Sequence, residues 1–221
     1  MGRKALEKLD NRISTSVSTR VQNPELIRKK HLLIARKAAK LFIRKGYDNT
    51  SMREISRATN MAVGNLYDYI EKKEDVLVLI FEVYHRNLEE SSFFNQMDFK
   101  ENEDPIESLK KFLYSSLRMI HSFRNEIVLM YRESKRLPKP ILKEAMEREL
   151  RQIEILEKFL RKGMETGIFK IRDPYFTANM LFFQQIIGTL RFWTFRERYT
   201  IEELHDLIVE SIIASLMNDP R

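Results

Sequence analysis

Two Glu-x-x-His pairs stand out among the residues able to do chemistry, Glu82-Val-Tyr-His85 and Glu202-Glu-Leu-His205. Two helices of a di-iron carboxylate bundle supply ligands at that spacing. A second set, Arg53, Val63, Gly64, Asn65, Tyr67, Tyr69 and Lys73, catalyses nothing but suits a DNA groove. An Asn amide makes paired hydrogen bonds to an adenine edge, and a Val side chain meets a thymine methyl. A Gly leaves room for close approach, while Tyr and Lys reach phosphate oxygens and fix register. Arg53 can reach a base or a phosphate. The chain has no cysteine, which excludes disulfides, thiolate zinc sites and cysteine nucleophiles. It also shows no Gly-rich phosphate loop and no Ser nucleophile motif. An enzyme reading therefore rests on the two Glu-x-x-His pairs alone.

The helices that must carry those pairs decide against it. At about 100° per residue, Val76, Leu77, Leu79, Ile80, Val83, Tyr84 and Leu88 mark the buried face of one helix. Glu82 and His85 are expected on the opposite side. His205 falls at the margin of the apolar stripe of its own helix, and Glu202 falls outside it. Four ligands cannot converge in one bundle core from there, so neither a metal nor a cofactor is expected.

Apolar residues recur at helical spacing along the whole chain, with only 6 Gly and 6 Pro to interrupt them, and the expected class is all-α. Asn23-Pro24 starts a helix whose apolar stripe runs Leu26, Ile27, Leu33, Ile34, Ala38, Leu41, Phe42, and Gly46 ends it. Ser51-Met-Arg-Glu54 is a capping box opening a short helix through Ala58. Further helices are expected over 63–69, 74–94, 105–123, 125–137, 141–165 and 174–195, and a second capping box at Thr200–Glu203 opens the last, to Met217. The total is nine helices and no strand. Domain boundaries are expected at 1–22, a flexible basic arm; 23–73, the helix-turn-helix; and 74–221, the larger helical domain.

Charge separates the two ends. The formal net charge is +7, yet residues 1–47 carry +10 and residues 48–221 carry −3. Such a field draws a polyanion, nucleic acid or an anionic membrane surface. A membrane-surface role for the Lys/Arg-rich face of helix 24–45 is the weaker choice, because Leu41 and Phe42 are better used as core. The longest uncharged run, 174–190, includes Asn179, Gln184 and Gln185 and is shorter than the roughly 20 apolar residues a span requires. The N-terminus lacks the apolar stretch of a secretory signal. A cytoplasmic protein without membrane contact is expected.

The two short helices around 51–69 have the dimensions of a helix-turn-helix, whose second helix enters the major groove. Ile55, Ala58, Met61 and Leu66 are spaced to pack them together. Spacing alone divides evenly between a DNA reader and a helical hairpin without a ligand. The stretch LLIARKAAKLFIRKGYDNTSMREISRATNMAVGNLYDYIEKKEDVL resembles the N-terminal domain of TetR-family transcriptional regulators. Ala39, Leu41-Phe42, Gly46-Tyr47, Thr50-Ser51, Ile55, Ala58, Gly64, Leu66-Tyr67, Tyr69 and Lys73-Glu74 carry the likeness. It implies a TetR-like fold and a homodimeric repressor on a pseudo-palindromic double-stranded operator, released by a small-molecule effector. It places Arg53, Val63, Gly64, Asn65, Tyr67, Tyr69 and Lys73 on the DNA side, with Thr50 and Ser51 in the same DNA-binding set. Asn60 stands for the usual turn Gly, Ala62 for the usual capping Ser or Thr, and Ile70 for the usual Phe. Asn tolerates the left-handed turn, whereas Ala62 forgoes a side-chain cap of about 1 kcal/mol.

By the same resemblance the apolar helix before Phe195 and the last helix pair with a partner's copies. The interface set is Phe182, Ile186, Gly188, Leu190, Trp193, Leu204, Ile208, Ile212 and Leu216. The competing reading is that these residues fill only the protomer's own core. Cavity walls are expected at Phe112, Met119, Phe123, Met130, Tyr131, Phe159 and Phe183, with His121, Arg132 and Gln184 as polar anchors. The stretch LMYRESKRLPKPILKE resembles acyl-CoA-sensing members of the family, which makes a fatty acyl-CoA the favoured effector. The alternative is a multidrug-type or aromatic-ligand-responsive repressor of the same fold.

Overall fold

The computed structural model describes residues 16–90 and 104–217, and all regular structure among them is helical. Ten α-helices are present: α1 Pro24–Lys45, α2 Met52–Thr59, α3 Val63–Tyr67, α4 Lys73–Glu90, α5 Pro105–Ser122, α6 Arg124–Glu133, α7 Lys139–Glu165, α8 Pro174–Leu190, α9 Phe192–Phe195 and α10 Ile201–Met217. The all-α reading stands, with one helix more than the apolar pattern counts. The helix expected to run to Phe195 breaks at Arg191, whose φ of −106° and ψ of 18° end α8, and the backbone re-enters as the single turn α9. α6 also ends early, at Glu133, and a 3-10 turn over Ser134–Arg136 finishes the stretch.

Starts and stops follow local chemistry. Asn23, Asp104 and Asp173 each accept a backbone N–H in the first turn, at 3.0, 2.9 and 3.0 Å, and Pro follows each of them. Thr200 and Glu203 close the second capping box reciprocally, at 2.8 and 3.2 Å. Gly46 ends α1 at φ +84°, where its N–H returns to the Phe42 carbonyl at 2.8 Å. An L side chain would be strained there.

The chain divides into two compact units. One holds the described part of Met1–Tyr84 together with Leu129–Ile141, and the other holds His85–Val128 and the described part of Leu142–Arg221. The cut therefore passes through α4 rather than at residue 73. In the first unit Ile34, Ala35, Ala38 and Phe42 of α1 close on Ile55, Leu66, Ile70 and Val76 as a fully buried core. In the second, α5, α8 and α10 pack on one another. Leu109, Phe112 and Leu113 meet Leu156, Phe159, Leu181, Val209, Ile212 and Leu216 in its core.

Two close approaches shape this second core. A Cβ on Gly163 would lie 2.0 Å from Cδ2 of Phe169, and one on Gly188 would lie 3.2 Å from Cδ1 of Ile208. One placement corrects the sequence reading: His85 is buried at 6% exposure and Glu82 is half-buried, although both were expected on the solvent side of α4. Burial holds the His85 imidazole down to about 3, with the Arg148 and Arg151 charges acting in the same direction. No three His, Asp or Glu side chains among the described residues group to hold a metal ion.

Candidate nucleic-acid interface

The reading helix α3 is five residues long, so its pose depends on what surrounds it. Leu66 is fully buried and fixes which face turns inward. Val63, Gly64, Asn65 and Tyr67 are then exposed together. Nothing lies within 4 Å of where a Gly64 Cβ would be, so the backbone faces open space as groove entry requires. Arg53 is exposed on α2.

Polar bonds set the approach between α2 and α3. Asn60 takes the left-handed conformation, φ 53° and ψ 40°, as its side chain permits. The Ser56 hydroxyl donates to the Met61 carbonyl at 2.6 Å, and the Met61 N–H returns to the Ser56 carbonyl at 3.0 Å. Ser51 accepts the Glu54 N–H at 3.3 Å, while its own N–H donates to the Glu54 carboxylate at 2.9 Å. Lys45 pairs with the same carboxylate, and these bonds hold Glu54 down at about 2. Ala62 supplies no side-chain cap to α3.

The structure divides the residues expected at DNA. Arg53, Val63, Gly64, Asn65 and Tyr67 form one exposed surface, and Ser51 borders it with its side chain engaged in the capping box. Thr50 is 1% exposed, its hydroxyl donating to the Gly46 carbonyl at 2.9 Å. Tyr69 is 7% exposed, with its ring edge-on to His31 at 6.3 Å. Lys73 turns inward: its ammonium donates to the Tyr47 carbonyl at 3.0 Å and the Thr50 carbonyl at 3.2 Å, and lies 4.4 Å from the Tyr47 ring centroid. Thr50, Tyr69 and Lys73 thus support the reader from behind.

Other supports lack a motif of their own. His31 is fully buried in α1, and its Nε2–H donates to the Tyr69 carbonyl at 2.9 Å. Arg136 pairs with Asp48 at 2.6 Å and lies 5.0 Å from the Tyr47 ring, so that ring has a cation on it from α4 and another from the 3-10 turn. A histidine in an otherwise apolar stripe was the available signal for the first. Residues 16–22, expected as part of a flexible arm, are docked instead, whereas residues 1–15 of that arm lie outside the described residues.

With this geometry, comparison with known proteins is informative. The family model for bacterial regulatory proteins of the tetR family matches residues 34–80. A second model, the tetracyclin repressor-like C-terminal domain, matches residues 102–216, more than half of the chain. The chain belongs to the TetR family. It is a DNA-binding helix-turn-helix transcription regulator. It is 24% identical to the HTH-type transcriptional regulator HbdR of Aromatoleum sp. over 204 residues, 88% of this chain and 84% of that one. It is 21% identical to the fatty acid metabolism regulator protein of Bacillus subtilis over 194 residues, 86% and 97% of the two chains. Its fold is similar to AibR, in a crystal structure with isovaleryl coenzyme A and operator DNA, at a TM-score of 0.67, 22% identity and coverage of 85% and 98%.

In this TetR chain the second unit redistributes the residues expected at an effector. Phe112 and Phe159 belong to the packed core, and Phe123 is buried. Met119, His121 and Gln184 are half-buried, and Phe183 is 45% exposed. Met130, Tyr131 and Arg132 group with the reading unit, with Tyr131 and Arg132 exposed. Ser116, Gln152 and Gln185 are buried polar side chains on α5, α7 and α8 that no hydrophobic pattern marks. The Oε1 atoms of Gln184 and Gln185 have no hydrogen-bond partner among the described residues. A separate cleft of about 300 Å³ is lined by Tyr114, Arg118, His121, Glu202, His205 and Asp206.

The residues expected at a partner interface divide in the same way. Ile186, Gly188, Leu204, Ile212 and Leu216 are buried within the protomer, where Gly188 admits Ile208 and Leu204 of the same chain. Phe182, Leu190 and Ile208 are half-buried, and Trp193 is 66% exposed. The face left outward is Phe176, Met180, Phe183 and Ile187, successive at three- and four-residue spacing along α8. A helix apolar all round does not reveal which stripe its own core takes. No helix among the described residues is long and apolar enough to cross a membrane.

Proposed function

We propose that this TetR-family regulator acts as a homodimeric repressor whose two α3 helices read the half-sites of a pseudo-palindromic operator. An acyl-CoA thioester bound in the second unit releases it. The exposed surface of Val63, Gly64, Asn65 and Tyr67 on the five-residue helix α3, with Arg53 beside it on α2, carries the reading. Asn65 addresses an adenine edge, Val63 a thymine methyl, and Tyr67 a phosphate. The outward apolar stripe Phe176, Met180, Phe183 and Ile187, with Leu207 45% exposed on α10, supports pairing with a second copy. Isologous contact of that stripe gives the two-fold symmetry that a pseudo-palindrome mirrors.

The effector assignment has chemical and comparative support. Buried Ser116, Gln152 and Gln185 would orient the polar part of a ligand whose chain lies among apolar neighbours. The names of two relatives concern fatty acid metabolism and an isovaleryl coenzyme A complex. The test selects a duplex from a randomised pool with the full chain, then titrates acyl-CoAs of increasing chain length against the bound complex. The expected result is a palindromic consensus and release by acyl-CoA at micromolar concentration, with free coenzyme A inert. A consensus with only one half-site refutes the dimeric reading, and a complex indifferent to every acyl-CoA refutes the effector.

A further inference from the structure

The reading helix is capped from outside at one end and uncapped at the other. Ala62 gives α3 no side-chain cap, and five residues leave it little hydrogen bonding of its own. Its C-terminal cap residue is Asp68. The Asp68 carbonyl accepts two bonds from the same preceding segment, the Thr19 hydroxyl at 2.9 Å and the Arg20 N–H at 2.9 Å. Thr19 Oγ1 in turn accepts the Val21 N–H at 3.2 Å, which fixes its rotamer. Two residues earlier Val17 is 4% exposed, and Ser16 donates its N–H to the Glu82 carboxylate on α4 at 2.8 Å. Glu82 lies nine residues beyond Lys73, about 14 Å further along the helix axis.

We propose that residues 16–21 form a strap that positions the reading helix, with Thr19 as the positioning residue and Ser16–Glu82 as its anchor on α4. The strap takes up a carbonyl that water would otherwise satisfy less rigidly, at the end of α3 where Tyr67 must meet a phosphate. It also ties the reading helix to the helix that leads out of its unit. The segment's contribution to DNA binding is then geometric. A simple basic tail would add affinity for any duplex, whereas a positioning strap adds preference for the right one.

The experiment compares Thr19→Val, which keeps shape and removes the donor, with Thr19→Ser, which keeps the donor. Each full-length variant is titrated with the duplex selected by the unaltered protein and with a scrambled duplex of equal composition. Thr19→Val is expected to weaken the selected duplex roughly tenfold, as one lost, partly buried hydrogen bond permits, and to leave the scrambled duplex unchanged. Thr19→Ser is expected to restore the preference. Hydrogen exchange without DNA should show faster exchange over residues 62–69 in Thr19→Val and in a chain lacking residues 1–16, with α1 unchanged. Equal loss for both duplexes, or unchanged affinity for the selected one, overturns the positioning role. Unaltered exchange in the truncated chain overturns the anchor.

Discussion

The helix-turn-helix unit and the second unit are held in place by opposite means. In the first, directional polar bonds settle each important junction: Lys73 on the 47–50 carbonyls, Ser56 on Met61, His31 on Tyr69, Thr19 on Asp68. In the second, shape settles it, with Phe169 lying over Gly163 and Ile208 over Gly188. The difference suits the tasks. A helix that must meet base edges tolerates little displacement, and directional bonds restrict it most. A unit proposed to admit a ligand is better closed by apolar packing, which is non-directional and can repack.

The largest expected effect tests the shape-fitted unit. Gly163→Ala places a methyl against the Phe169 ring and should cost about 3 kcal/mol, the upper part of the overpacking range. Chemical denaturation measures it, and Phe169→Leu on the same background should recover much of the loss. Recovery would identify the ring as the clash; no recovery would place the cost in the α7 backbone.

Next comes the polar unit. Lys73→Met keeps the stem and removes the ammonium from the Tyr47 and Thr50 carbonyls, for about 2 kcal/mol. DNA binding should weaken while the salt slope stays unchanged, because the charge faces protein. A direct phosphate contact would instead reduce the slope by about one.

A smaller change strengthens that unit. Ala62→Ser gives α3 the N-cap it lacks, with the hydroxyl positioned to accept the Asn65 N–H, for about 1 kcal/mol of local stability. Slower exchange at Gly64 and Asn65 would report it. If DNA affinity falls as the helix stiffens, the free amide is itself used at a phosphate.

What could be read from the chain follows the same division. Capping boxes, Asn-Pro and Asp-Pro starts and the Asn60 turn are local pairs of residue type and position, and the structure shows each of them. The exposed surface of α3 was legible because one buried residue, Leu66, fixes a five-residue helix. Tyr69 and Lys73 sit behind that surface because a motif records which residues occur together, not which way they point. On α8 the pattern is apolar on every side, so nothing separated Ile186, which is buried, from Phe183 and Ile187, which are exposed. His85 was misplaced for the matching reason: a polar residue on a helix covered on more than one face looks like a surface residue.

The smallest prediction reaches the polar unit through pH. Glu54 accepts from Lys45 and from the Ser51 N–H and hydroxyl, and these bonds lower its carboxyl from 4.5 to about 2. The folded state therefore keeps the carboxylate charged after the unfolded chain has bound a proton. Its contribution is complete above pH 4.5 and is lost as pH falls from there towards 2. The carboxylate is half-buried but its Lys45 partner is exposed and the ion pair is screened, so the effect is slight and should shrink further in molar salt. Glu54→Gln keeps an acceptor for the capping box but cannot titrate. Denaturation curves between pH 6 and 2 should show a shallower acid limb for the variant than for the unaltered protein, the difference confined to the window below 4.5. A difference of equal size at pH 6 would mean that the amide breaks the capping box itself, and that geometry rather than charge holds the start of α2.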